Sequence, residues 1–352
     1  MSTQTKRRDF IKKMSAGVLG SGIALNAYAF GGNKSNVVVP KRKAIRYNAN
    51  PNVALVKGPD RKTNMYDALK LIEDDIKHSI GDKQVVIKPN FTRVKKEEWL
   101  ASTHVDNIEA MLEFLQPFYK KKVIIAEGCG GAEPIAVALE NFDYFKLKEK
   151  YDIGFYDLSK DAYSTVNLLD SDIQPMPIMT SNLILDPNTY VISAAVMKTH
   201  GLAVVTLGLK NIVLAAPMNF GSGENERGKL HKQPMIEDPR YFNYNSFMMS
   251  QYAYPDLVLI DGFVGMEGKG PLFGDPIEVG VAIASTDCIA ADRVGTDVMG
   301  HDFDKVGHLV HCANAKMGEG DITRINVLGD KISACRKDFK KTDDYDKIIR
   351  WR

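Results

Sequence analysis

Between residues 194 and 211 the sequence reads AAVMKTHGLAVVTLGLKN. Lys198, Thr199, His200, Thr206 and Lys210 stand there among Val196, Val204, Val205, Leu207 and Leu209. A chain does not take ammonium groups toward an apolar interior without pairing them, because desolvation disfavours the charged form. A lysine kept from water can lose basicity and act as nucleophile, base or covalent anchor. If the second half of the run is helical, Thr206 and Lys210 share a face. The chemistry implied is a buried cationic site for a small anionic ligand.

Other residues extend that site. Lys88 and Asn90 follow the apolar run VVI, so an ammonium and an amide with both donor and acceptor stand at a strand end. Glu127 opens EGCGG, where glycines let backbone amides approach a ligand. No G-x-G-x-x-G is present, which argues against a dinucleotide site. Asp261 and Glu267 lie in DGFVGMEGKGPLFG, read as a Gly/Pro loop that brings Glu267 to the site as a carboxylate partner. His231 follows the Gly-rich stretch NFGSGENERGKL, a loop suited to folding over a ligand. His308 and His311 are three apart, close enough to share a metal, but with no third ligand nearby they read as core histidines. The expected catalytic groups are Lys198, His200, Lys210 and Glu267. Lys88, Asn90, Thr206 and Lys210 are expected to hold a cofactor or ligand, and His200 and His231 a metal.

These residues need a scaffold, and the sequence predicts one. NVALVKG, KQVVIKPN and KVIIAEG read as strands, each followed by an amphipathic helical pattern. Apolar runs of this kind between longer helical patterns mark an α/β protein with a wound, mostly parallel sheet and flanking helices. Such a chain forms one body or two lobes with the site between them. Further on, SNLILDPNTYVISAAVMK reads as strand, turn and buried strand, and AVVTLGLKNIVLA as helix or strand. YNSFMMSQYA reads as a helix before the strand DLVLIDGFVG. The C-terminal part returns to alternation, with VGVAIAS, a helix from about Asp287, another from Phe303 to Lys316, and the strand TRINVLG. In sheets of this type ligands collect beyond the C-terminal ends of the strands, where KPNF, EGCGG and KTHG fall. The α/β domain is expected over 51–330, with a C-terminal tail over 331–352.

The ends and the composition bound the function. Arg7 and Arg8 precede a weakly apolar, Gly- and Ala-rich stretch that closes on Ala27-Tyr28-Ala29. This is the pattern of an export signal, and the paired arginines resemble a twin-arginine signal over 1–29, followed by a polar tether over 30–50. Cleavage near Ala29 into the periplasm is expected, with the twin-arginine machinery as a partner and no stable membrane anchor. Removing the signal takes away five basic side chains and one acidic one, turning the net charge from +2 to about −2. No basic face or nucleic-acid module remains. The four cysteines are widely scattered, so buried free thiols are expected and an iron–sulfur cluster within this chain is not.

The motifs VVIKPNF, KTHGLAVVTLGLKN, LIDGFVGMEGKGPLFG and IASTDCIAADRVGTDVMG, with His231 between them, occur in the order seen in the domain-of-unknown-function 362 (DUF362) family, which the chain resembles over roughly 53–318. Many such relatives carry a ferredoxin-like module whose cysteine runs are missing here. The order His200, Lys210, His231 also resembles that around the nickel-pincer cofactor of lactate racemase-type enzymes. That resemblance implies Lys210 as anchor, His231 as nickel ligand and His200 as proton-transfer base, with His104 assisting. The function expected is an exported enzyme acting on a small carboxylate or phosphorylated compound by a redox-neutral proton or hydride shift, such as racemisation or epimerisation. The alternatives are a non-catalytic periplasmic anion- or metal-binding protein and a redox protein related to the iron–sulfur members.

Overall fold

Apolar residues that run continuously, instead of alternating, must be covered on both faces, and they form the centre of the sheet. β7 (Thr189–His200) is the clearest case, with all twelve residues buried. The computed structural model describes residues 40–128, 134–218 and 238–351, and the elements of the fold belong to the compact unit Lys41–Arg352.

The sheet contains β1 (Asn52–Lys57), β2 (Gln84–Lys88), β3 (Val123–Glu127), β4 (Ile153–Asp157) and β7. To these are added β8 (Val204–Thr206), β9 (Leu257–Glu267), β10 (Asp275–Ser285) and β11 (Asn326–Gly329). Among the described residues the strand order is β11-β1-β10-β9-β7-β2-β3-β4, with β8 on β7. β9, β7, β2, β3 and β4 run parallel, as do β1 and β11. β10 is antiparallel to both its neighbours, and β8 to β7. A separate hairpin joins β5 (Tyr163–Leu169) to β6 (Pro175–Ser181). The protein is thus α/β with a mixed, mostly parallel sheet.

Helices cover both faces. α1 (Arg61–Leu71), α2 (Glu73–Ile80), α3 (Val105–Leu115) and α4 (Ile135–Asn141) bury Met65, Leu69, Ile76, Ile108, Met111 and Leu139 against one face. After the single turn α5 (Asn182–Leu185), the other face is covered by α6 (Gly208–Val213), α7 (Pro239–Ser250), α8 (Cys288–Val298) and α9 (Gly307–Asn314). α1 starts where Asp60 accepts from the Thr63 amide at 2.8 Å, and α8 where Asp287 accepts from Ala290 at 3.0 Å.

Three local expectations change. DGFVGMEGKGPLFG is not one long loop: pairing of β9 with β10 as far as Glu267 opposite Asp275 draws its first half into the strand. SNLILDPNTYVISAAVMK begins with the helical turn α5 instead of a strand. AVVTLGLKN is neither all helix nor all strand, because β8 ends at Thr206 and α6 begins at Gly208. Beyond residue 330, α10 (Ile332–Cys335) and α11 (Tyr345–Ile348) fold back, and Cys335, Phe339, Ile348 and Trp351 join the core beneath α7 to α9.

Candidate functional site

Lys88 ends β2, Glu127 ends β3 and Lys198 lies near the end of β7, so parallel strands deliver all three to one rim. α6 returns Lys210 and Asn211 to the same place. Lys88 Nζ lies 2.9 Å from Glu127 Oε2 and donates to Asn211 Oδ1 at 2.6 Å. Glu127 is held in turn by the backbone amides of Phe91 and Gly128, both at 2.8 Å. Asn90 Nδ2 donates to the same Asn211 Oδ1 at 3.0 Å. The amides thus tie the two lysine-bearing strands to α6.

Lys198 is fully buried, and its Nζ donates to Asn90 Oδ1 at 2.8 Å, Ala101 O at 2.8 Å and Thr92 Oγ1 at 3.2 Å. Burial, with repulsion from Lys210 and Lys88, pushes its basicity well below the ordinary lysine value. Three acceptors nevertheless match the three protons of an ammonium. Geometry and desolvation oppose one another here, and the hydrogen bonds are those of a cation fixed in the scaffold. Thr206 lies opposite Lys198 in the β7–β8 register, and its buried hydroxyl has no hydrogen-bond partner among the described residues.

Lys210 Nζ lies 5.9 Å from the centroid of Phe242 on α7. His200 stacks on the same ring at 5.6 Å and His308 meets it edge-on at 6.2 Å. Burial first, then the charges of Lys210 and Lys198, pushes the His200 imidazole well below its usual range. His308 is pushed down to about 3 by burial and then by Lys210 and His311. Both rings are therefore neutral at pH 7. Asp292 of α8 sets the start of α6, accepting from the Gly208 amide at 2.7 Å and the Leu209 amide at 2.9 Å.

The structure thus brings together Lys88, Asn90, Lys198, His200, Thr206 and Lys210. Thr206 arrives from a strand and not from the helix that carries Lys210, so the two do not share a helical face. Glu267 does not join them. Its carboxylate accepts from the Lys340 amide at 2.9 Å and lies 3.2 Å from Lys340 Nζ, because β9 carries it past the rim. His104 caps α3, its Nδ1 accepting from the Asp106 amide at 3.3 Å and lying 3.2 Å from Asp106 Oδ2. His231 lies outside the described residues. Among those residues no group of three or more His, Cys, Asp or Glu side chains could hold a metal. The described side chains do not by themselves compose a nickel-pincer site. Cys288, Cys312 and Cys335 are free and buried, and Cys129 is outside the described residues.

Sequence reasoning missed Asn211, Phe242, Asn243 and Asp292. Asp292 had a signal: with Cys288 and Thr296 it forms an i, i+4 line on the apolar side of its helix. A recess of about 960 Å³ is lined by Arg61, Trp99, His104, Phe142 and Phe263 among others and by none of the three rim lysines, although its Thr103 accepts from the Asn90 amide. Two ion pairs lie within its walls, Lys146–Asp143 at 2.6 Å and Lys150–Glu109 at 2.8 Å.

The fold and the rim define an α/β protein with a buried polar, lysine-rich site at the C-terminal ends of parallel strands. Residues 85–297 match the family described as Domain of unknown function (DUF362), and the chain belongs to that family. Every residue of the rim except His308 lies inside the match. The chain is 29% identical over 223 residues to the Thylakoid-associated protein sll1697 of Synechocystis sp., covering 62% of this chain and 63% of that protein. It therefore spans less than two thirds of that relative's length. A crystal structure of a Thermotoga maritima protein matches with a TM-score of 0.38 at 14% identity, over 66% of this chain and 57% of the other. No helix among the described residues is long and apolar enough to cross a membrane.

Proposed function

We propose that this chain is an exported enzyme that binds a small carboxylate or phosphorylated compound at the lysine-rich rim and shifts a proton within it without net redox change. The observation that carries the reading is Thr206 Oγ1. A buried hydroxyl with no partner among the described residues, on the residue paired with Lys198 across β7 and β8, is a donor waiting for an acceptor. Around it, Lys88, Lys198 and Lys210 supply preorganised positive field to an anion and to charge that develops on it. The tight tethering of Lys88 and Lys198 makes them field and framework, and leaves proton handling to the imidazoles. Export rests on Arg7, Arg8 and the stretch behind them.

The test uses the full chain. Calorimetry with inorganic phosphate reads anion binding, and NMR in D2O reads exchange of carbon-bound protons in malate, glycerate and 3-phosphoglycerate. Binding and exchange that are lost in Lys210→Ala and kept in Lys340→Ala support the reading. Binding without exchange on any of the three compounds favours non-catalytic capture, and no binding of any of the four overturns both.

A further inference from the structure

The two buried imidazoles beside Phe242 are locked as opposite tautomers. His200 Nδ1 accepts a hydrogen bond from the Leu202 amide at 3.0 Å, so the proton of the neutral ring sits on Nε2. At His308 the order is reversed. Asn243 Nδ2 donates to Pro239 O at 2.6 Å, which fixes the orientation of the side-chain amide and makes Oδ1 its acceptor end. That Oδ1 accepts from the His308 backbone amide at 2.8 Å and faces His308 Nδ1 at 3.1 Å. Nδ1 therefore carries the proton and Nε2 the lone pair.

We infer that His308 Nε2 is the proton acceptor of this site and that His200 Nε2–H is the hydrogen-bond donor to the oxyanion formed when the proton leaves. The inference rests on the proposed reading of the rim as a site for proton transfer on an anionic ligand. In the step, a C–H bond of the ligand breaks and its electron pair stays on the ligand, delocalised onto the adjoining oxygen. The proton forms a bond to His308 Nε2, giving an imidazolium. Return of that proton to a different atom or face completes an isomerisation, with no oxidant or reductant consumed.

Three features suit the rings to these roles. A neutral imidazole can serve as electrophile as well as base, and pairs of groups with separated environments divide acid and base work between them. Asn243 Oδ1 accepts from Nδ1–H whether His308 is neutral or charged, so proton uptake at Nε2 requires no rearrangement behind the ring. A carboxylate in the place of Asn243 would favour the charged ring; a neutral amide leaves it uncharged at pH 7. The charged and titratable groups that act on the two rings are Lys210, Lys198 and His311, together with His308 upon His200. All but His311 belong to the rim.

In the sequence His308 has no distinction beyond its spacing to His311, and the residue lies beyond the family match. His311 is separate from this pair. It packs on Phe247 and Trp351, with ring centroids at 5.7 and 5.1 Å.

Full chain labelled with 15N-histidine, observed through two- and three-bond 1H–15N couplings at pH 7, reports each tautomer without any substrate. Opposite tautomers at His200 and His308, both neutral, support the assignment. Matching tautomers, or a protonated His308, overturn it whatever any ligand does. Function is read with His308→Gln and His311→Gln. The first is expected to lower deuterium exchange into the most active of malate, glycerate and 3-phosphoglycerate by about 100-fold or more, with inorganic phosphate affinity unchanged. The second is expected to leave both unchanged. Exchange that persists in His308→Gln while phosphate still binds refutes the proton acceptor and spares the anion site. Failure of the unaltered chain to bind phosphate or any of the three acids refutes the anion site itself.

Discussion

Asp292→Asn turns the anchoring of α6 into a measurable pH effect. Asp292 is fully buried, and its carboxyl is pushed up to about 7, chiefly by burial and against the pull of the Leu209 and Gly208 amides. In the unfolded chain the same group titrates near 3.8. Between those values the folded state holds a proton that the unfolded state has lost. This part of the stability is therefore fully present below the unfolded value, falls as the pH rises, and is gone above about 7. At about 1.36 kcal/mol per pH unit, the penalty by pH 8 is about 4 kcal/mol. Asparagine cannot ionise, but its NH2 faces one of the two backbone amides, which costs about 1–3 kcal/mol. The variant should thus be the less stable protein at pH 4.5, by up to about 2 kcal/mol, and the more stable one at pH 8, by about 1–3 kcal/mol. Urea unfolding of both proteins at the two pH values measures the crossing, and comparing the pair removes the contribution of Asp287, a second raised carboxyl at about 6. A difference that is the same at both pH values would show that Asp292 is ionised throughout and that its surroundings have been misjudged.

Further outcomes follow from the same geometry. Lys210→Ala should abolish phosphate binding while stability falls by no more than about 1–3 kcal/mol; a calorimetric trace like that of the unaltered chain would make Lys210 structural. Gly208→Ala places a Cβ 2.3 Å from Val258 Cγ1 at the start of α6, so a loss of about 1–3 kcal/mol in urea unfolding is expected, together with weaker phosphate binding. Glu267→Gln should leave phosphate affinity unchanged, since that carboxylate is engaged by Lys340; lost affinity would return Glu267 to the site. Replacing Arg7 and Arg8 with lysine should leave the precursor in the cytoplasm on fractionation, and periplasmic accumulation at the usual level would refute the export reading.

The alternation of short apolar runs and helical patterns was sufficient to read the wound sheet, because burial on two faces writes itself into consecutive residues of β2, β3 and β7. The boundaries near the site were harder for one physical reason: pairing with distant strands decided them. β9 extends to Glu267 only because β10 pairs with it that far, and no local property of GFVGMEGKG distinguishes strand from loop. β8 likewise exists through its register with Lys198 to His200. Cys335, Phe339, Ile348 and Trp351 are spaced too widely to show a period, so their burial was not legible and the segment read as a tail.

The site was legible where charge stood against its surroundings and illegible where the chemistry lies in what a neutral group does. Lys88, Lys198 and Lys210 stood out because lysine in an apolar run demands an explanation. Asn211, Asn243 and Phe242 are ordinary residues in their own helices, yet they decide which of those cations hold the framework and how the imidazoles are presented. Asn211 takes up Lys88 and links it to Asn90, while Asn90 and Thr92 take up Lys198. The buried cations are thus divided. Lys88 and Lys198 hold the rim in shape with positive charge stored in it, and Lys210 shares the ring of Phe242 with two neutral imidazoles. Spacing could place His200 beside Lys210 but not His308, which comes from a helix nearly a hundred residues further along and acquires its role from the amide that fixes its proton.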